Sequence, residues 1–92
     1  MRRAYYSSSI HVFLKESDEN IVGELTKNHS NRSLVETQVR SWFEQIKILK
    51  DQLSEFDGQI YFEFAIPRMG KRVDNILIIH NAVYVIEFKI GN

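Results

Sequence analysis

The chain has no cysteine, a single proline and no excess charge of either sign. Without thiols it can form neither disulfides nor thiolate metal sites. Twelve basic side chains against twelve acidic ones leave a formal net charge of zero. A pervasive basic coat for nucleic acid is therefore absent, and any such binding must rest on a local patch. No apolar run approaches the roughly 20 residues that span a bilayer, so no membrane partner is expected. The start carries Arg2 and Arg3 with no apolar stretch behind them. No signal peptide is expected, and the cytoplasm is the expected location. A chain of 92 residues is limited to one domain.

The first third reads as helical. Ser7-Ser8-Ser9 offers capping hydroxyls, and Ile10, Phe13 and Leu14 behind it follow helical spacing to about Glu16. Ser17 or Asp18 caps a second short helix with Ile21, Val22 and Leu25 on one face. The polar stretch Asn28 to Ser33 reads as a loop, and Ser33 with Glu36 fits a capping box. A long helix is expected from Leu34 to Phe56. Its stripe is Val35, Val39, Trp42, Ile46, Leu49, Leu53 and Phe56, and Asp57-Gly58 stops it.

The remainder reads as β-structure. Ile60, Phe62, Phe64 and Ile66 alternate with Tyr61, Glu63 and Ala65. A basic loop, Pro67-Arg68-Met69-Gly70-Lys71-Arg72, separates this strand from a second over Val73–Ile79. A turn at His80-Asn81 leads to a third strand, from Ala82 or Val83 to Ile90. The expected class is α+β, with helices first and then a three-stranded antiparallel meander. One domain is expected over 1–92, with a helical extension over 1–32 and an αβββ core over 33–92. The sequence ends just after the third strand, with nothing to cover the second sheet face or the open edge. The expectation is a fragment of a longer protein, or a chain completed by association, such as a homodimer through that edge.

The informative oddity is a pair of charges in the third strand. Val83 to Ile90 is apolar except for Glu87 and Lys89, and a run of this kind reads as a strand buried on both faces. Residues two apart on a strand share a face, so this carboxylate and ammonium project together. Buried charge is costly unless it is paired or binds a metal. With His80-Asn81 as a two-residue turn, Ile79 pairs with Ala82 and Asp74 falls opposite Glu87. Asp74, Glu87 and Lys89 then converge, and two opposed carboxylates repel unless a cation lies between them. Such oxygen ligands suit Mg²⁺ or Mn²⁺.

Asp74, twelve intervening residues and then Glu87-Phe88-Lys89 in an apolar strand resembles the PD-(D/E)XK nuclease superfamily. The order of long helix and meander is similar to the first part of that family's core, a truncated restriction-endonuclease-like core here. Ile66 to Asp74 followed by Val85 to Lys89 resembles nuclease-like N-terminal domains fused to P-loop helicase or ATPase modules. The resemblance implies metal-dependent hydrolysis of phosphodiester bonds in nucleic acid, with DNA the expected polymer. It makes Asp74 and Glu87 the metal ligands and Lys89 the residue that orients the attacking water or stabilises the phosphate. It adds an acid from the helix before the first strand, for which Glu36 is preferred to Glu44. Arg68, Lys71 and Arg72 stand where they can contact phosphates. The sequence departs from the pattern at Val73, where the family often has proline, and it lacks the helix and strand that normally follow.

Two plainer readings stand beside this one. The fold can serve as a catalytically inactive nucleic-acid-binding or assembly module, or Glu87 and Lys89 can be a structural ion pair. Trp42 reads as core. His11, His29 and His80 share no metal-ligand spacing. Glu63 is a minor site candidate, and Tyr5 and Tyr6 read as packing rather than base-stacking residues.

Overall fold

The computed structural model describes residues 3–29 and 36–89. The order is β1 (Tyr6–Ser9), α1 (Ile10–Lys15), α2 (Asp18–Asn28), α3 (Glu36–Gln52), β2 (Gln59–Ile66), β3 (Lys71–Ile79) and β4 (Ala82–Ile86). The class is α+β, and the sheet has four antiparallel strands in the order β1-β2-β3-β4 rather than three. The extra strand lies where the sequence suggests only capping hydroxyls. Ser7, Ser8 and Ser9 pair with Tyr61, Ile60 and Gln59, so β2 imposes extended structure on residues with no strand preference of their own.

The helix starts follow local chemistry. Ser9 Oγ accepts the Val12 N–H and Ser17 Oγ accepts the Asn20 N–H, each at 3.1 Å. Ser33, Leu34 and Val35, and with them the capping box, lie outside the described residues. α3 ends at Gln52 and a further turn runs to Phe56, which is exposed and not part of the buried stripe. Trp42, Ile46, Leu49 and Leu53 are buried as their spacing predicts.

One sheet face meets the helices. Tyr6, Ile60, Phe62, Leu77 and Ile79 pack there with Ile10, Phe13, Ile21, Leu25 and the α3 stripe in a single cluster. Each fully buried apolar side chain stabilises the fold by about 1.5–3 kcal/mol. The segment from Tyr5 to Leu25 thus shares one core with the rest. Lys50 binds the α1–α2 junction to α3, donating to the Glu16 carbonyl and meeting Asp18 at 2.8 Å. Gly58 lies so close to β3 that a Cβ there would stand 2.0 Å from the Ile78 carbonyl oxygen. Its φ of 145° also disfavours any side chain.

The β3–β4 turn has the expected register, with Ile79 opposite Ala82. His80 has φ 56°, as the first central residue of a type II′ turn does. β4 departs from expectation in two ways. It ends at Ile86, with Glu87 to Lys89 outside the strand and Ile90 outside the described residues. It is also an open edge, with Val83, Tyr84 and Val85 half or more exposed, not a strand buried on both faces. Among the described residues no helix is long and apolar enough to cross a membrane.

Candidate functional site

The site forms where the β2–β3 ladder is interrupted. Phe62 pairs with Asn75 and Phe64 with Val73, but the ladder skips Glu63 and Asp74 between them. Glu63 adopts φ 55°, left-handed backbone that costs a non-glycine residue about 1–2 kcal/mol. The kink breaks the period of two. Tyr61 and Phe64, three apart, meet edge to face with ring centroids 5.7 Å apart, so they share the face away from the helices. The Glu63 carboxylate instead reaches α3, where its Oε2 accepts the Trp42 indole N–H at 3.1 Å.

A closed chain of contacts surrounds this carboxylate. Arg72 stacks its guanidinium 4.2 Å over the Tyr5 ring and donates to the Glu63 carbonyl at 2.5 Å. Tyr5 meets His29 edge to face at 5.7 Å, and His29 meets Trp42 at 5.9 Å. Trp42 closes the circuit on Glu63. Burial pushes the Glu63 carboxyl above its ordinary value. The Trp42 hydrogen bond opposes that shift, the charge of Asp74 adds to it, and Arg72 and His29 lower it.

Asp74 joins this cluster to the Glu87-Phe88-Lys89 segment. Its Oδ2 accepts the Phe88 backbone N–H at 2.7 Å. One further rung of ladder would oppose Asp74 and Glu87, but the carboxylate takes the place of a backbone acceptor and the strand stops. Phe88 packs against the core, while Glu87 and Lys89 on either side of it are exposed.

The expected site residues therefore fall into separate groups. Asp74 is half-buried beside Glu63, while Glu87 and Lys89 flank its hydrogen-bond donor in solvent. Glu36 is exposed at the start of α3, 3.6 Å from Arg40, and Glu44 is exposed one turn before Ile48. Arg68 and Lys71 are exposed at the β2–β3 turn, where Met69 N–H bonds to the Ile66 carbonyl. Arg72 is turned inward, because the kink reverses the strand faces and its guanidinium is held by Tyr5 and the carbonyls of Glu63 and Arg3. The acid beside Asp74 is Glu63 of β2, held by a tryptophan on α3. The sequence signal for it was a glutamate between two aromatics, Phe62 and Phe64.

Hard oxygen donors of this kind suit Mg²⁺ or Mn²⁺, which keep several waters and need only one or two carboxylates. Asp74 Oδ1 and Glu63 Oε1 lie beyond the two hydrogen bonds just described, and Glu87 is open to solvent. Among the described residues no group of three or more His, Asp or Glu side chains is gathered as a metal-holding set. No family model, no curated protein and no solved structure matches the chain.

Proposed function

We propose that this chain is a nuclease-type domain that hydrolyses phosphodiester bonds in nucleic acid, with Asp74 and Glu87 as ligands for Mg²⁺ or Mn²⁺ and Lys89 facing the phosphate. The single observation that carries the reading is the hydrogen bond from Phe88 N–H to Asp74. It ties the isolated aspartate to the residue between Glu87 and Lys89, which the resemblance to PD-(D/E)XK nucleases requires of its motif. A divalent cation there would supply charge neutralisation and acidify a bound water. The chain's own residues do the positioning. Trp42 holds the Glu63 carboxylate in a half-buried place where burial and the charge of Asp74 raise its affinity for a proton, a setting suited to accepting one from water. Exposed Lys89 offers an ammonium to a phosphate oxygen. Strain at a non-glycine residue such as Glu63 is itself more common at functional sites than elsewhere.

A second reading, a catalytically inactive nucleic-acid-binding or assembly module, is favoured by the absence of a gathered trio of acids among the described residues. Mn²⁺ titration followed by calorimetry separates the two. Nuclease function predicts binding that Asp74→Ala weakens at least tenfold, and DNA cleavage that Lys89→Ala abolishes while DNA binding persists. Equal Mn²⁺ affinity in wild type and Asp74→Ala sinks the metal site. DNA binding without cleavage in either wild type or Lys89→Ala leaves the module.

A further inference from the structure

The kink that directs Glu63 toward α3 has a second product on the other side of the sheet. A regular strand would place Tyr61 and Phe64 on opposite faces. Here they stand together, half-buried, with centroids 5.7 Å apart and planes at 75°. They line a cavity of about 270 Å³ whose other lining residues are Arg3, Ala4 and Ser7. Arg3 and Ser7 are exposed, and no acidic side chain lines the cavity. A larger groove of about 500 Å³ beside β4 is lined by apolar side chains and Tyr84, and has no charged group to select a ligand.

We infer that the Tyr61–Phe64 cavity receives an unpaired base of single-stranded nucleic acid, with Arg3 meeting the adjoining phosphate. The chemistry of the lining favours this occupant. Two aromatic rings offer a stacking surface to any flat heterocycle. An arginine at the rim complements an anionic backbone, and the Ser7 hydroxyl can donate to or accept from a base edge. Bases held inside a duplex cannot reach such a surface, so the strand must be unpaired or the base turned out of the helix. The inference rests on the nucleic-acid reading above and narrows its substrate to strands with accessible bases. Because the cavity and the Glu63 carboxylate are produced by the same left-handed residue, the binding surface and the candidate site are fixed relative to each other.

The test uses the full chain and a short fluorescently labelled single strand, read by anisotropy, beside the same strand carrying abasic positions and beside a duplex. Wild type is expected to bind the base-bearing strand about tenfold or more tightly than either comparison. Phe64→Leu and Tyr61→Leu, which keep apolar bulk, are expected to abolish that preference while leaving the unfolding temperature nearly unchanged. Arg3→Ala is expected to weaken all strands and reduce the salt dependence by about one ion. Equal affinity of wild type for abasic and base-bearing strands, or no binding of either, overturns the inference, and that comparison needs no variant to fold. Mn²⁺ binding lost in Asp74→Ala together with no base preference removes this cavity and leaves the nuclease reading. A base preference that depends on Phe64, with Mn²⁺ affinity indifferent to Asp74, does the reverse.

Discussion

Replacing Glu63 with glutamine is expected to stabilise the fold at neutral pH and to do so only there. In the unfolded chain Glu63 has an ordinary glutamate carboxyl. In the folded chain burial, and after it the charge of Asp74, raise that value despite the Trp42 hydrogen bond. The folded state therefore holds the Glu63 proton more firmly than the unfolded state. The stability linked to that proton is fully present below the unfolded value and is lost as pH rises through the folded one. Each unit of such a shift corresponds to about 1.4 kcal/mol, and solvent at this half-buried position reduces the realised cost to about 1 kcal/mol or less. Glutamine has the same shape, keeps a carbonyl oxygen for the Trp42 N–H and cannot ionise. Glu63→Gln should thus exceed wild type by up to about 1 kcal/mol at pH 7, or roughly 4–8 °C in unfolding temperature per kcal/mol. The gain should shrink toward zero at pH 4 and below. Urea or thermal unfolding at pH 7 and pH 4 measures both. A variant less stable than wild type at pH 7, or a gain independent of pH, refutes the account of Glu63 as a desolvated carboxylate beside a like charge.

Other perturbations follow from the same contacts. Asp74→Ala leaves the Phe88 N–H without its acceptor and should cost about 1–3 kcal/mol, with faster hydrogen exchange at that amide. Trp42→Phe should cost about 1.5–3 kcal/mol at pH 7, because a buried carboxylate loses its donor, and less at pH 4, as parallel denaturant series will show. Gly58→Ala places a Cβ 2.0 Å from the Ile78 oxygen and should lower stability by about 2–3 kcal/mol, or prevent soluble expression. Lys89→Ala alters an exposed side chain and should leave the unfolding midpoint within about 0.5 kcal/mol while abolishing any cleavage.

The site was partly legible in advance. The register of the β3–β4 turn follows from a two-residue loop, so the level of Asp74 relative to Glu87 could be read from the chain. What happens at that level could not. Asp74 satisfies a backbone N–H fourteen positions on and halts the ladder, leaving Glu87 and Lys89 in solvent. Arg72 looked like one of three phosphate-facing cations, yet its guanidinium lies on Tyr5, a residue far away in sequence. Alternation predicts side-chain direction only while both strands stay regular, and Glu63 interrupts both.

The sequence by itself determined what depends on neighbours a few positions apart. The serine caps at Ser9 and Ser17, the apolar stripe from Trp42 to Leu53 and the turn at His80-Asn81 all depend on hydrogen bonds or periodicities within one or two turns of chain. Tertiary structure decided the rest. β1 exists because the edge of β2 offers hydrogen bonds to a serine run that would not extend alone. The left-handed Glu63 persists because Trp42, twenty-one residues earlier, and Arg72 hold its two ends against the strain. Those forces act between segments that meet only after folding, and the closeness of Glu63 to Asp74 becomes visible only then.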